Sequence, residues 1–581
     1  MPKCQKALRL AIIFLFTSSS VLTIPCAVAQ VKPPAHTKSQ PDYSPLISEL
    51  REKIPQMMAQ KNIPGLAVAL IDGEKLVWAE GFGFTDDSKK VKVTEDTLFA
   101  LQSVSKTCTA TGFLIAATKG WLKLDDPLKK YLPAFTVKSR FGADEVNKIT
   151  FRHLLSHRGG LCHEAPVGNN FDDTLCTFEG HIKSVSDTWL IAPVGELYRY
   201  SNLGIDLAGY ALGIRSRKSF EQFMKDELFT PLEMTSSTFD QKEALRNPSF
   251  ARGHVSGREL PDTFIPMIPA GGMYSSVKDM AKFVSFHLAG GKMKGKPLLA
   301  ENLLKEMYTP QFAATKDEIY GYGLGIEVEV WKDATRLSHD GGGYGFTSNI
   351  SWLPEHQIGV VVLANALRST DSLPWEIANQ ALMMMTQAKY GSAPPDKPLA
   401  PSDGPIVSLQ AEQLRRLEGT YSHQTGGVVT FKVEEGALFY IQGGSKVKLD
   451  AHSATKFTSN IHTFNFHLDR AGKVTGVLAQ GWRNIGIFML INDRPDDPPG
   501  PNRPEWQAFV GEYTGKIFGG AFPRRATVSI KNGYLYVKRD GWLKLTEYGP
   551  GLFFSSDGES VSFQGDRMSS ANQPFVKNKN N

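Results

Sequence analysis

Ser103 and Lys106 stand three residues apart in the stretch LQSVSKTCTA. A serine hydroxyl is a weak nucleophile unless a neighbouring base takes its proton. Residues three apart share one face of a helix, and a lysine that desolvation keeps partly neutral can act as such a base. The pair therefore indicates a serine nucleophile with a lysine base, although a serine that caps a helix gives the same short pattern.

A second polar cluster, YRYSNLG, places Tyr200 and Asn202 just before a helical pattern. A tyrosine hydroxyl can pass on a proton, and an asparagine amide can bind a substrate carbonyl or orient Lys106. A buried tyrosine followed by Ser201 as a helix cap is the structural alternative. Tyr200 is thus a candidate acid/base and Asn202 a candidate substrate ligand.

A third cluster, SHDGGGYGF, begins at Ser338 between two strand patterns. Glycines on an edge strand allow a substrate backbone to approach closely, whereas a flexible hairpin is the structural alternative. We expect His339, Gly341 and Gly342 to lie on the substrate side of this strand.

Two other hydrolytic chemistries fit the sequence less well. His153 and His157 stand four residues apart and His163 follows, but HLLSH lacks the adjacent glutamate that a zinc peptidase uses as its base. The Gly-x-Ser-x-Gly elbow of α/β-hydrolases is absent from the sequence. We therefore expect a hydrolase that needs no metal and no cofactor.

The length, composition and net charge limit the number of domains and the class of the protein. A chain of 581 residues exceeds what one hydrophobic core holds, since single cores stop growing at about 250–300 residues. We therefore expect two or three domains. The composition, with 41% hydrophobic and 21% charged residues, is typical of a soluble globular protein, and the formal net charge of +6 is too small to indicate nucleic-acid binding.

Residues 1–29 have the form of a secretory signal peptide, with three basic residues around the start of a long apolar run and small residues at its end. The apolar part is shorter than the roughly 20 residues of a membrane-spanning helix and is interrupted by TSSS. Cys26 would suggest a lipoprotein, but the preceding TIP is a poor lipidation signal. We expect cleavage after Ala29, no stable membrane span, and a periplasmic or secreted protein.

The mature chain would keep three cysteines, Cys108, Cys162 and Cys176. In an oxidising compartment Cys162 and Cys176 could form a disulfide, because the loop between them is rich in turn residues and closing it would stabilise the fold. Three separate thiols remain the alternative, since sequence does not fix the pairing.

The periodicity predicts one α+β domain over residues 30–390. Two apolar runs joined at Asp72-Gly73 predict a β-hairpin, helical patterns fill residues 102–310, and strand patterns return between 321 and 364. We expect an antiparallel sheet flanked by helices, completed late in the chain, together with an all-helical subdomain.

A linker rich in proline and glycine covers residues 391–408, and two arrays of short strands follow at 409–495 and 505–570. The arrays resemble one unit repeated, because Gly419-Thr420-Tyr421 matches Gly511-Glu512-Tyr513 at an offset of 92 residues. We expect small antiparallel β-barrels that act as scaffold or lid, the second shorter and incomplete.

The three polar clusters, in this order and at these separations, resemble the penicillin-recognising serine hydrolases: class C β-lactamases, DD-peptidases (carboxypeptidases), D-aminopeptidases and related carboxylesterases. The resemblance extends over about residues 45–390 and includes ITFRHLLSHRGGL and PAGGMYSSVKDMAKF. It implies a β-lactamase/transpeptidase-like fold, followed here by lipocalin-like barrel repeats.

The same resemblance implies roles for the candidate residues. Backbone N–H groups of Ser103 and Gly342 would form an oxyanion hole, in which each donor is worth about 3–4 kcal/mol. The resemblance implies that Ser103 is the acylated nucleophile, Lys106 its base and Tyr200 a second acid/base. It also implies that Asn202 is a substrate-amide ligand and that His339 is the first residue of the third motif.

One departure from the family pattern affects the substrate. Class C β-lactamases carry Lys-Thr-Gly where this chain has His339-Asp340-Gly341. A histidine is mostly neutral at pH 7, so the cation that helps to bind the carboxylate of a β-lactam is missing. His-x-Gly is similar to the D-aminopeptidase and esterase branches, and D-aminopeptidase also carries two barrel domains.

Three functional hypotheses follow. The first is a peptidase or amidase that forms an acyl-enzyme and acts on D-amino-acid or other small peptides. The second is a carboxylesterase or weak β-lactamase. The third is a non-catalytic binding protein on the same fold, against which the retained Ser103, Lys106 and Tyr200 argue. The expected partner is a small peptide, amide or ester. The sequence leaves open whether the protein forms a homo-oligomer.

Overall fold

The structure is a computed structural model. It describes residues 41–171, 176–262, 264–311, 320–367, 373–392, 405–423, 428–442, 445–459, 462–468, 474–481, 485–490, 500–517, 522–539 and 542–578. The signal peptide predicted at 1–29, with its cleavage site after Ala29, lies outside these residues, as does most of the predicted linker. Within the described ranges, no helix is both long and apolar enough to cross a membrane.

The helices lie mainly in the first 390 residues. Those described are α1 (Ser44–Gln60), α2 (Ser105–Thr118), α3 (Phe151–Leu155), α4 (Phe178–Lys183), α5 (Asn202–Ser216), α6 (Phe220–Met224), α7 (Gln241–Leu245), α8 (Ile268–Gly271), α9 (Val277–Leu288), α10 (Glu301–Met307), α11 (Leu373–Tyr390) and α12 (Ala411–Arg415).

The strands of the same region form one large sheet and several short pairs. They are β1 (Gly65–Asp72), β2 (Lys75–Gly83), β3 (Phe99–Ala100), β4 (His254–Val255), β5 (Arg258–Glu259), β6 (Tyr274–Ser275), β7 (Lys292–Met293), β8 (Lys296–Pro297), β9 (Tyr320–Tyr322), β10 (Glu327–Trp331), β11 (Ala334–Gly343), β12 (Phe346–Leu353), β13 (Ile358–Ala364) and β14 (Ala366–Leu367).

The large sheet has seven strands in the order β2-β1-β13-β12-β11-β10-β9, and its strand pairs are antiparallel. The hairpin predicted at Asp72-Gly73 is present, and Gly73 takes a positive φ of 58° in its turn. Strand β1 pairs with β13, with Leu66 opposite Ala364. The prediction that late strands complete an early sheet is therefore confirmed.

Helices cover both faces of this sheet, as the α+β prediction requires. Along β1 the side chains alternate between the two faces. Leu66, Val68 and Leu70 pack in the core formed with α1 and α11, whereas Ala67 and Ala69 pack in the larger core shared with α2 and α9. The large side chains face the long outer helices, and the small ones let α9 approach closely.

Helix α2 lies inside the helical half of the domain and is buried along nearly its whole length, from Ser105 to Ala116. Its hydroxyl groups satisfy backbone carbonyls that would otherwise be stranded in the core. Thr107 Oγ1 donates to the Gly325 carbonyl at 2.7 Å and Thr109 Oγ1 to the Pro269 carbonyl at 2.7 Å. These contacts fix the helix that carries Lys106.

The structure corrects the disulfide suggested by the sequence. Cys162 and Cys176 are separate thiols, as is Cys108 inside α2. The Sγ atom of Cys162 donates to the Glu164 carbonyl at 3.1 Å and lies 3.4 Å from Thr188 Oγ1. Its hydrogen bonds therefore lie within the protein interior, and the alternative of three thiols is the one that the structure shows.

Two all-β units follow, built from β15 (Gly419–His423), β16 (Val428–Glu434), β17 (Ala437–Gln442), β18 (Ser445–Lys448), β19 (Asp450–Ala451), β20 (Lys456–Thr458), β21 (His462–Leu468), β22 (Val474–Gly481), β23 (Ile485–Leu490), β24 (Gly511–Ile517), β25 (Phe522–Lys531), β26 (Tyr534–Lys538), β27 (Trp542–Gly549), β28 (Leu552–Ser555), β29 (Ser560–Gln564), β30 (Arg567–Ser570) and β31 (Gln573–Lys577). The first unit is a nine-stranded sheet whose outermost strands, β18 and β19, are consecutive in the chain. The second is a closed barrel of eight strands, β24 to β31.

The closed barrel corrects the expectation that the second array is incomplete. The repeat itself is visible in one shared contact. Tyr421 donates its hydroxyl to the Leu417 carbonyl at 2.8 Å, and Tyr513 donates to the Phe509 carbonyl at 2.8 Å. Both tyrosines are fully buried, so each hydroxyl needs the carbonyl four residues before it.

Candidate active site

Ser103 lies on a short 3-10 turn, Gln102–Val104, that leads directly into α2. Gln102 takes a φ of +52°, a left-handed conformation that costs a non-glycine residue free energy and is common where function demands it. The turn leaves Ser103 partly exposed while its neighbours are buried. The serine is therefore the residue of this segment that a substrate can reach.

Lys106 lies one turn along, with Nζ 3.0 Å from Ser103 Oγ and 2.8 Å from the Ala270 carbonyl to which it donates. The side chain is fully buried. Burial lowers the pKa of Lys106 to about 7, against the opposing charges of Asp206 and Glu164. Near neutral pH a large fraction of this amine is uncharged, which is what a proton acceptor requires.

Tyr200 faces the same two groups. Its ring lies 4.9 Å from Lys106 Nζ, and its hydroxyl shares a hydrogen bond with Ser103. Burial raises the pKa of Tyr200 well above its ordinary value, with the Ser103 hydrogen bond acting in the opposite direction. The hydroxyl therefore stays protonated near neutral pH and can donate a proton.

His157 holds the tyrosine in place. The two rings lie 4.3 Å apart, the His157 carbonyl accepts from Arg199 N at 2.8 Å, and Nδ1 accepts from Ser201 N at 3.1 Å. Burial lowers the pKa of His157 well below its usual value, and the charge of Lys106 adds to this. The ring acts as a neutral acceptor, so the residue suggested as a zinc ligand has a supporting role here.

Asn202 begins α5, and the helix-cap alternative is also present one residue earlier. Ser201 Oγ accepts from Gly204 N at 3.0 Å as the N-cap. Asn202 is buried, and its Nδ2 donates to Glu164 Oε1 at 2.9 Å. The cap fixes the start of the helix and thereby the direction of both Tyr200 and Asn202.

The third cluster occupies the end of β11. Strand β10 pairs with β11 only up to Ser338 in the described chain, so the segment from His339 onward has an edge that β10 does not cover. Gly342 on this segment is exposed. Such an edge can pair with an extended substrate backbone.

Glycine is required at Gly341 because β11 runs against the nucleophile segment. A Cβ added there would lie 2.1 Å from the Leu101 carbonyl oxygen, well inside van der Waals contact. Ser348 Oγ donates to the same carbonyl at 2.7 Å. The close approach packs the strand that carries Gly342 against the segment that carries Ser103.

His339 is buried rather than presented to solvent. Its Nε2 lies 3.0 Å from the Tyr322 hydroxyl and its Nδ1 2.7 Å from the Asp340 carbonyl. Burial lowers the pKa of His339 to about 3, and the charge of Lys106 adds to this. The third motif therefore carries a neutral imidazole where a lysine would supply a cation.

Sequence reasoning missed a buried network behind Lys106. The Ala270 carbonyl accepts from Lys106, while Ala270 N donates to Asp206 Oδ1 at 3.0 Å. Asp206 Oδ2 lies 3.2 Å from His181 Nε2. Burial opposes a charge on the imidazole, but the hydrogen bond and charge of Asp206 raise the pKa of His181. Asp206 lies four residues after Asn202 on α5, a helical spacing that could have revealed it.

The other two histidines considered as zinc ligands each make a separate contact. His153 Nδ1 accepts from Thr150 N within a capping box, and His163 Nδ1 lies 3.1 Å from Glu164 Oε1. Within the described ranges, a group with the geometry to hold a metal ion is Asp87, His254 and Glu259. The catalytic candidates are not part of it.

The region that holds these residues is similar to known proteins. Residues 50–382 match the family model described as Beta-lactamase. The chain is 27% identical to Beta-lactamase-like protein 4 of Dictyostelium discoideum, over 53% of this chain and 57% of that protein, so the match spans little more than half of that relative. It is 30% identical to a beta-lactamase of Escherichia coli K12, over 54% of this chain and 86% of that protein.

Among solved structures, the octameric penicillin-binding protein homologue from Pyrococcus abyssi is similar at a TM-score of 0.52 and 24% identity. The superposition covers 76% of this chain and 99% of that one. At this level of identity the similarity supports the fold, which is the β-lactamase/transpeptidase-like arrangement of mixed helices and sheets.

Proposed function

The chain belongs to the Beta-lactamase family of serine hydrolases, and from this membership we propose that it cleaves peptide, amide or ester bonds through an acyl-enzyme on Ser103. The observation that carries the proposal is the 3.0 Å separation between Ser103 Oγ and the Nζ atom of Lys106, a lysine whose pKa burial lowers to about 7. A nucleophile within hydrogen-bond reach of a partly neutral base is the arrangement that acyl transfer needs.

In the proposed first step, the neutral amine of Lys106 takes the proton of Ser103 as Oγ attacks the substrate carbonyl carbon. The carbonyl oxygen becomes an oxyanion, which the backbone N–H groups of Ser103 and Gly342 would stabilise. Tyr200 donates its phenolic proton to the leaving group as the carbonyl–leaving group bond breaks. The proton held by Lys106 then returns Tyr200 to its phenol form.

In the second step, water attacks the acyl carbon and gives a proton to the pair formed by Lys106 and Tyr200. The same pair protonates Ser103 Oγ as the bond between Oγ and the acyl carbon breaks. Asn202 would bind the amide of the acyl part through its carbonyl oxygen, because its Nδ2 already donates to Glu164 Oε1. No metal or cofactor enters either step.

The substrate class proposed is D-amino-acid or other small peptides. The neutral, buried His339 supports it, because this position lacks the cation that assists binding of an anionic β-lactam. A carboxylesterase or weak β-lactamase is the second candidate, which the 30% identity to the Escherichia coli beta-lactamase favours.

The proposal extends to the organisation of the protein. We place the hydrolase domain at 30–390, the linker at 391–408, and the two β-units at 409–495 and from 505 onward. The basic and apolar character of residues 1–29 supports export to the periplasm or medium. The similar protein from Pyrococcus abyssi is octameric, which supports a homo-oligomer here, and light scattering of the purified protein would test it.

Labelling with a fluorophosphonate, followed by mass spectrometry of the peptides, tests the acyl-enzyme. We expect a single adduct on Ser103 that disappears in Ser103→Ala. Turnover of D-alanyl p-nitroanilide, p-nitrophenyl butyrate and nitrocefin then ranks peptidase, esterase and β-lactamase activity. An intact protein that carries no adduct and turns over none of the three would contradict the proposal.

A further inference from the structure

Glu164 is a buried acid beside the candidate site that the proposed chemistry does not use. Its side chain is fully buried, and its neighbours all approach one oxygen. Oε1 accepts from Asn170 Nδ2 at 2.6 Å and from Asn202 Nδ2 at 2.9 Å, and it lies 3.1 Å from His163 Nδ1. Oε2 is buried and has no hydrogen-bond partner among the described residues.

An unpartnered carboxylate oxygen in a protein interior is unfavourable, because it has lost the water that would solvate it and has gained no donor. The nearby cations of the protein are committed elsewhere. Lys106 donates to Ala270 and must lose its charge to act as a base, and Arg199 donates to the Asp557 carbonyl. Within the part of the chain that the structure describes, Oε2 therefore has no donor.

The location of Glu164 relates it to the acyl part of a substrate. It binds Asn202, the candidate ligand for the substrate amide, and its charge acts on both Lys106 and Tyr200. Its neighbour His163 is 39% exposed and stacks against Tyr200 at 5.8 Å. The carboxylate thus lies next to the part of the site that opens to solvent.

The main chain at Glu164 is held from the C-terminal barrel. Asn572, in the turn between β30 and β31, donates from Nδ2 to the Glu164 carbonyl at 2.9 Å and to Thr188 Oγ1 at 2.8 Å. The carbonyl of the acid is therefore bound both by Cys162 Sγ, two residues before it, and by the barrel. A fixed, desolvated acceptor is well suited to select for charge.

We propose that Glu164 forms a subsite for a primary ammonium group on the acyl side of the scissile bond, so that preferred substrates are small amides or esters of amino acids with a free amine. The ammonium supplies the donor that Oε2 lacks. This inference rests on the proposed hydrolase function, and it names the substrate feature that the same site selects.

Two ligands that differ only at the charged group test the subsite. Alaninamide carries an ammonium where isobutyramide carries a methyl group of similar size. Both would be measured at pH 7.0 as competitive inhibitors of p-nitrophenyl butyrate hydrolysis, with each enantiomer of alaninamide. A charge-assisted hydrogen bond to a desolvated carboxylate predicts that the better enantiomer binds at least about ten-fold more tightly than isobutyramide.

Glu164→Gln keeps the size of the side chain and removes its charge. We expect the ammonium preference to fall to within about two-fold, a larger loss than any fall in kcat/KM for the neutral ester. Glu164→Asp keeps the charge and should retain part of the preference. Glu179→Gln, the same change on the exposed face of α4, should leave the preference unchanged.

The alternative is that Glu164 only positions Asn202 and Lys106. In that case Glu164→Gln would impair the neutral ester as much as the ammonium ligand, and this result would overturn the proposal. Equal binding of the two amides by the wild type would overturn it even if no variant folds. Calorimetric binding of both amides to Ser103→Ala separates this subsite from the chemistry, because selectivity there does not depend on turnover.

Discussion

The nucleophile side and the acyl side of the candidate site are held together in different ways. Ser103 and Lys106 are neighbours on one helical turn, three residues apart in sequence. On the other side, the Glu164 carbonyl is bound by Asn572, which is 408 residues further along the chain. One side is built within the hydrolase domain, and the other depends on a contact from the C-terminal barrel.

Because of this difference, we expect bond cleavage and substrate selectivity to depend on different parts of the molecule. The geometry of Ser103 and Lys106 depends on α2 and the Ala270 carbonyl, so changes in the barrel should leave it intact. The segment that carries Glu164 packs against the barrel, where Trp189 contacts Phe554 with ring centroids 5.3 Å apart. Altering that contact should therefore change binding more than turnover, and variants on each side can test the division.

The largest effect is expected from Ser103→Ala on the nucleophile side. Loss of the attacking oxygen should lower kcat by about 1,000-fold or more with p-nitrophenyl butyrate. The side chain is partly exposed and Lys106 keeps its bond to Ala270, so the Tm should change by no more than about 2 °C by calorimetry. Activity that persists would assign the nucleophile to another residue.

Gly341→Ala should produce the next largest loss. The new methyl group would lie 2.1 Å from the Leu101 carbonyl oxygen, which forces β11 away from the nucleophile segment. We expect kcat/KM to fall by about 100-fold, since small displacements of catalytic groups are this costly, together with a lower Tm.

Gly342→Ala is the matched control for stability. A Cβ at Gly342 would find its nearest neighbour, Leu367 Cδ1, at 3.5 Å, an ordinary contact. Its Tm should therefore stay close to that of the wild type. If Gly341→Ala were equally stable and fully active, the close packing of β11 on the nucleophile segment would not be needed.

The pH dependence of kcat/KM should report Lys106. The pKa of this amine is lowered to about 7, so below that pH it is charged and cannot accept the serine proton. The rate should rise by about ten-fold per pH unit up to pH 7 and level off above it. His339, with a pKa of about 3, stays neutral throughout.

Asp206→Asn tests the direction in which a nearby charge shifts this pH profile. The charge of Asp206 raises the pKa of Lys106 against the larger effect of burial, so its removal should move the acidic limb to lower pH. Stopped-flow rates with p-nitrophenyl butyrate between pH 5 and 9 would measure the acidic limb of the wild type and of the variant. A profile that is flat across pH 7, or a limb that moves upward in Asp206→Asn, would contradict Lys106 as the base.

Local patterns made the nucleophile side predictable from sequence. A spacing of three places Lys106 beside Ser103 on any helix, and Asp72-Gly73 signals a hairpin through the conformational freedom of glycine. The family and its fold also follow from such patterns, because the polar clusters occur in a fixed order. These features depend on residues that are close in sequence, so the sequence contains the necessary information.

The acyl side could not be predicted from the sequence in the same way. Glu164 stands in the loop HEAPVGNN with no spacing that marks it, and its contact with Asn572 exists only after two domains have docked. The expectation of an incomplete second barrel was wrong because the short strands β28 to β31 have weak patterns individually, and closure comes from their pairing. Of the two cysteine arrangements that the sequence left open, the structure has no Cys162–Cys176 disulfide, and Cys162 is hydrogen-bonded inside the protein.

The smallest and most selective effect is expected on the barrel side, from Asn572→Ala. It removes the Nδ2 contacts with the Glu164 carbonyl, Thr188 and Cys162, which the two N–H groups share and which are worth about 1 kcal/mol per N–H group. The loosened segment should raise KM for aminoacyl substrates by about three- to ten-fold while kcat stays within about two-fold. Asn532→Ala is a matched control, because Asn532 also has a positive φ in a turn of the same barrel but is exposed. Equal effects of the two changes, or a loss confined to kcat, would mean that the barrel does not support the acyl side.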